Sequence, residues 1–423
     1  MVRWRTRQLE VHSLKSGWWQ GGLFALLLVS LTLDAQGCPD YLGHRPLLSQ
    51  QHISSHSEQP TLLQWQQLDL DITLHIQTQT QDLTLDQPGG RSSTEYFFLP
   101  PASPAIQACI YASFAHSGKG DWRFSQVILA PGNDLAGKLL SQAGQLWAEE
   151  HTAARVQALG LYERVAAMHQ DAPVLANSAA HLLLLAYAHR HQLDKATARL
   201  QQAPLVELPE LLHKMAEIRA RIALAKGDLI QAGQWTDKAI AAADELQRRN
   251  EKAELFTLKG LIALLAGQLV EGQSHLSNAQ QLAPDDFKIL SFVHSNLSFA
   301  ELQKSVGKPQ SDRNKAMAKA LQLELQAAEY ARQAGFYRNL ANIENNIGSI
   351  HERHRGLRSA LVYYTRALSI IEQRDEPELK ALLLRNLGTV SLYLGDYLKA
   401  RQFLYAALSI IDKAEPVEAA LLH

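Results

Sequence analysis

The chain has 423 residues, 46% of them hydrophobic and 20% charged, a composition that buries a sizeable core and excludes global disorder. Lys+Arg number 41 and Asp+Glu 42, so no basic excess is present to hold a phosphate backbone, and nucleic acid drops out as a partner.

Residues 1–37 read as an export signal. Arg3, Arg5, Arg7 and Lys15 precede the apolar run Leu23-Phe-Ala-Leu-Leu-Leu-Val-Ser-Leu-Thr-Leu33. The run is shorter than the roughly 20 residues a membrane-spanning helix needs, and Ala35 and Gly37 suit cleavage before Cys38. The expected location is therefore exported, in the periplasm or envelope of a bacterium. Cys38 and Cys109 are the two cysteines. In an oxidising compartment they can bridge. The alternatives are a free thiol or a lipid on Cys38, and Ala35-Gln36-Gly37 lacks the apolar residue usual three positions before a lipidated cysteine. Any membrane attachment is expected only through the signal or that lipid.

Residues 38–60, rich in Gln, Ser and His, read as a polar linker. Period two then takes over in Leu68-Asp-Leu-Asp-Ile-Thr-Leu-His-Ile76, which puts one face on a core and the other in water. Pro88-Gly-Gly90 is a turn signal, and Glu95–Leu99, Ile106–Phe114 and Trp122–Leu129 are further strands, closed by Pro131. Residues 61–132 are thus expected to form a small β-sandwich-like domain with a structural or docking role. Ser117-Gly-Lys-Gly120 is a hairpin turn and not a phosphate loop, because no Ser or Thr follows the lysine.

From residue 133 to 416 the period is helical, and one phrase is written twice. Ala367-Leu-Ser-Ile-Ile371 returns as Ala407-Leu-Ser-Ile-Ile411. Asn346-Ile347-Gly348 aligns with Asn386-Leu387-Gly388, Ala360 with Ala400, and Tyr364 with Leu404, all forty residues apart. The same spacing relates Gly227-Asp-Leu229 to Gly267-Gln-Leu269 and Ala239 to Ala279. Two helices and two short connections fill such a period, and equal small residues mark equal packing slots.

On these residues the chain resembles the tetratricopeptide-repeat (TPR) family. The segment from Ala253, with Gly260, Gly267, Leu269, Gly272, Leu276, Ala279 and Pro284, fits best. The last repeat offers Leu384, Leu387, Gly388, Gly395-Asp-Tyr397, Ala400, Leu404 and Ala407. Weaker copies lie at His191-Gln-Leu193 with Ala196, at Ala158-Leu159 with Tyr162, and around Ala320 after an insertion near Gly307–Ser311. The forty-residue period exceeds the family's 34, and the consensus tryptophan is missing. The resemblance implies a mostly α chain, a right-handed α-solenoid of TPR-like helix pairs with an inner concave face that binds a protein or extended peptide.

It also implies site residues. Asn296, Asn346 and Asn386 share a slot that faces the groove in such folds, and their amides can bond a peptide backbone. By the same register Asn342, Asn345, Arg353 and Arg385 line the groove, with Tyr393 the aromatic contributor, whereas Tyr363 and Tyr364 pack.

No catalytic constellation is legible. His351 and His354 are three apart where a zinc-protease helix needs four, and no GxSxG, GxxxxGK[ST] or GxGxxG pattern occurs. Neither a metal nor a cofactor is expected. The order of signal, β module and long repeats also resembles bacterial proteins that carry a caspase-like CHAT peptidase domain, which would make this chain the non-catalytic part of an enzyme. An envelope lipoprotein assembly factor is the third alternative. Residues 417–423, Val-Glu-Ala-Ala-Leu-Leu-His, read as the start of a further helix, to be covered by a missing C-terminal domain or a second subunit.

Overall fold

A computed structural model describes residues 38–414 apart from 40, 43–44, 54–58, 80, 89–90, 92, 115–119, 130–132, 190–191 and 202–211. The signal segment, the Ser117 turn, His191 and residues 417–423 lie outside the described residues.

Eight strands open the described chain: β1 (Tyr41–Leu42), β2 (Arg45–Ile53), β3 (Thr61–Leu68), β4 (Ile72–Gln77), β5 (Asp82–Leu85), β6 (Thr94–Leu99), β7 (Ile106–Ala112) and β8 (Asp121–Ile128). They pair antiparallel into two sheets, ordered β1-β2-β7-β4-β5 and β6-β3-β8. Alternation does what period two demands. Leu63 and Trp65 of β3 join Ile72, Leu74, Ile76 and Ile110 in a core between the sheets, while Leu62 turns to the opposite face.

One stretch departs from expectation. Residues 45–53, expected as linker, form β2 along β7 from Leu47–Tyr111 to Ile53–Ile106. Polar composition hides a strand whose stability comes from its backbone ladder. Its Gln51 side chain also accepts the Trp65 indole N–H at 3.0 Å. Cys38 and Cys109 form a disulfide beside the buried Tyr111 ring.

Fourteen helices follow among the described residues, arranged as seven hairpins. They are α1 (Asp134–Ala148) with α2 (Thr152–Ala166), α3 (Pro173–His189) with α4 (Leu193–Gln201), and α5 (Leu212–Ala225) with α6 (Leu229–Glu245). Next come α7 (Arg249–Leu265) with α8 (Leu269–Leu282), and α9 (Phe287–Lys304) with α10 (Gln310–Ala334). The last are α11 (Tyr337–Arg353) with α12 (Leu357–Ile371) and α13 (Pro377–Tyr393) with α14 (Tyr397–Ala414). The expected insertion after Gly307 is taken up by the 25-residue α10.

The forty-spaced small residues meet equivalent neighbours. A Cβ on Gly260 would sit 2.9 Å from Leu276, one on Gly348 2.6 Å from the Tyr364 ring, and one on Gly388 2.7 Å from Leu404. In each hairpin the glycine admits the residue sixteen positions on, which lets the two helices close.

The β module is not a separate bead. Leu62, Tyr96 and Leu129 share one core with Leu140, Trp147 and Leu183 of α1 and α3. The three-stranded sheet is therefore a middle layer between the other sheet and the first helices.

Candidate functional site

The first helices of all seven hairpins, α1, α3, α5, α7, α9, α11 and α13, contribute to the wall of one cavity of about 1620 Å³. They make the repeat side of this cavity. That face is not left bare, because the β module meets it from the other side through residues 82–84 and 86–88, Arg91, Ser113 and Phe114. The open inner wall expected from the sequence is thus a composite cavity, bounded by repeats and module together.

Helix N-termini hold the module there. Nothing on α7's own N-cap residue, Arg248, bonds the free N–H groups of its first turn. Asp69, at the end of β3, supplies the acceptors instead: its two carboxylate oxygens take the N–H of Asn250 at 2.8 Å and of Glu251 at 2.9 Å. Its carbonyl also accepts the Asn250 amide at 3.0 Å. Burial pushes the Asp69 carboxyl up to about 6, against those two N–H groups, so it is ionised at neutral pH and suits the helix dipole.

Arg91 is 1% exposed and reaches Glu254 at 3.0 Å and, more closely, Asp286. Asp286 is itself the N-cap of α9, its carboxylate accepting from the N–H of Ile289. Phe114 lies edge-on to Phe336, with the Lys288 ammonium 5.1 Å from its centroid.

The wall carries eight basic and eight acidic side chains, so it has no net field to draw a polyanion or polycation. Most of these charges are fixed in pairs. Burial raises the carboxyl of Glu254, but Lys288, Arg91 and Lys214 outweigh it and hold it down to about 2. Glu217 behaves alike, with Lys214 and Arg221 overcoming its burial. Leu185, Leu193, Ile218, Leu224, Leu379 and Leu382 supply apolar surface to the lining.

Of the groove residues expected from sequence, Asn342 lines the cavity, its amide donating to the Arg338 carbonyl at 3.2 Å. The neighbouring asparagines link hairpins. Asn346 donates to Ser295 of α9 at 3.2 Å and to Glu324 at 3.3 Å, and Asn386 of α13 donates to Asn345 of α11 at 2.8 Å. Asn296 is half-buried, and Arg353, Arg385 and Tyr393 are exposed. Asp69, Arg91, Phe114 and Lys288 were not foreseen. Their partners stand far away in sequence, 181 residues from Asp69 to Asn250, and no local pattern marks such a pairing.

The array also meets itself. The Glu150 carbonyl after α1 accepts the N–H of Asp375 at 2.9 Å, and its carboxylate pairs with Arg374 and, at 3.4 Å, with Arg45. Arg338 of α11 bonds the carbonyl of His189 at 3.0 Å.

No protein-family model matches the chain, and no curated protein matches it. Among solved structures, a Rap protein in complex with Competence and Sporulation Factor is 16% identical, with a TM-score of 0.45 over 67% of this chain and 77% of that one. Aspartyl phosphate phosphatase F from Bacillus subtilis is 15% identical, TM-score 0.41, over 69% and 78%. PilF from Pseudomonas aeruginosa is 17% identical, TM-score 0.33, over 58% and 96%. At this level the likeness assigns no activity, and the helix-pair architecture rests on the geometry above.

Proposed function

We propose that the protein is a TPR-like scaffold that binds a protein segment or extended peptide in the cavity between its first helices and its β module. One observation supports this reading above the others: every hairpin contributes its first helix to a single roomy, mixed polar and apolar cavity. The β module is part of that site rather than a removable plug, since its sheet shares a hydrophobic core with α1 and α3. We propose further that the protein is exported. The Cys38–Cys109 bridge supports an oxidising location, and an acyl thioether on Cys38 would require that bridge to be absent.

A peptide library displayed against the full chain tests the site. Ala225 is exposed on the cavity wall, whereas Val270 is exposed elsewhere. Binders selected by the unmodified protein should be lost with Ala225→Trp and kept with Val270→Arg. Binders that ignore Ala225→Trp would place recognition outside the cavity and overturn the reading.

A further inference from the structure

Seven of the eight basic side chains lining the cavity meet a carboxylate, from Arg221 with Glu217 at 2.8 Å to Arg45 with Glu150 at 3.4 Å. Arg155, on α2, is the exception among the described residues. It is 8% exposed, its guanidinium lies 4.8 Å from the centroid of the Trp147 ring, and its Nε is buried with no acceptor. The carboxyls in electrostatic reach are Glu150, Asp375, Asp86 and Glu376. Three of them already serve other cations: Glu150 pairs with Arg45 and Arg374, Asp86 stands 4.0 Å from Arg45, and Glu376 stands 3.1 Å from Arg338.

A guanidinium taken out of water costs free energy unless an acceptor meets its fork. Trp147 lies against the group, no carboxylate among the described residues pairs with it, and Arg155 is one of the residues that line the cavity. A planar acceptor with two oxygens matches that fork. The four nearby acids make a dianion such as phosphate a poor match, so a singly charged group is favoured.

We propose that Arg155, backed by the Trp147 ring, binds a carboxylate of the ligand that occupies the cavity. The inference deepens the reading of the cavity as a ligand site, and it names the group that anchors there: a peptide's C-terminal carboxylate or an Asp or Glu side chain.

Calorimetric titration of the full chain with three small probes tests it. N-acetyl-phenylalanine presents a terminal carboxylate, N-acetyl-glutamyl amide a side-chain carboxylate, and N-acetyl-phenylalanine amide none. At least one acid should bind where the neutral amide does not, and the better acid identifies the source. Arg155→Met, which keeps an unbranched chain over Trp147, should weaken that acid on the order of tenfold or more, with Arg155→Lys between. Equal binding of acid and amide, no binding of either acid, or an unchanged Arg155→Met affinity would each overturn the proposal. If Arg155→Met does not fold, the acid and amide comparison on the unmodified protein still decides. Library peptides that survive Arg155→Met would remove the carboxylate site and leave the cavity reading intact. Acid binding without any cavity-dependent peptide would do the reverse.

Discussion

Glu324 shows how one buried side chain sets a pH response. It lies on α10, accepts from Ser295 at 3.2 Å and Asn346 at 3.3 Å, and burial raises its carboxyl to about 8 although those donors pull the other way. Its ordinary value is 4.5, so below that pH both folded and unfolded chains carry the proton and its contribution to stability is complete. Between 4.5 and about 8 the unfolded chain releases the proton while the folded one keeps it, and stability falls as pH rises. The slope from this group is at most about 1.4 kcal/mol per pH unit. Glu324→Gln keeps an acceptor for Ser295 and Asn346 and removes the titration. Thermal melts from pH 5 to 9 should therefore fall less steeply for the variant than for the unmodified protein. Parallel curves would mean that this carboxyl ionises in the folded chain much as in water. The same contacts show what two asparagines of the repeated slot bond within the chain. The phrase around Asn346 and Asn386 does repeat, and these amides bond the preceding hairpin, Asn346 through both α9 and α10 and Asn386 through α11; a repeat pattern cannot distinguish a neighbour's oxygen from a guest's.

At the scale of elements, the hairpin turns carry a second periodic signature. Gly395 closes α13 at φ +82, with its N–H on the Leu392 carbonyl and the Asp396 N–H on Ser391. Forty residues earlier the same two bonds are made by Arg355 and Gly356, yet Arg355 holds φ +59 with a full side chain. A left-handed conformation costs a side-chain-bearing residue about 1 kcal/mol or more, and glycine is spared it. Arg355→Gly should raise the melting temperature by the equivalent of up to about 1 kcal/mol. A lower melting temperature would show that the arginine side chain contributes more than its backbone strain removes. These turns, the glycine at each helix crossing and the strand alternation were legible because each is local: residues within one hairpin dictate them. β2 was not, because its apolar residues stand together as Leu47-Leu48 and then only at Ile53, with the polar run Ser49–His52 between them, so no period-two pattern shows and only the partner strand defines it.

In the whole molecule, the module and the array behave as one body because they share a core. Leu62 of β3 is fully buried among residues of α1, α2 and α3. Leu62→Ala should cost about 2–5 kcal/mol and lower amide-exchange protection together in β3, β6 and α1. Loss confined to the strands would show two independent folding units. None of this long-range arrangement could be read from periodicity, which reports what each hairpin does to the next and is silent on contacts between residue 69 and residue 250. Those contacts impose an order on biogenesis. Synthesis delivers Asp69 and Arg91 well before the termini of α7 and α9, from which they stand 181 and 195 residues away. Until those helices emerge, the module keeps a carboxylate and a guanidinium in water.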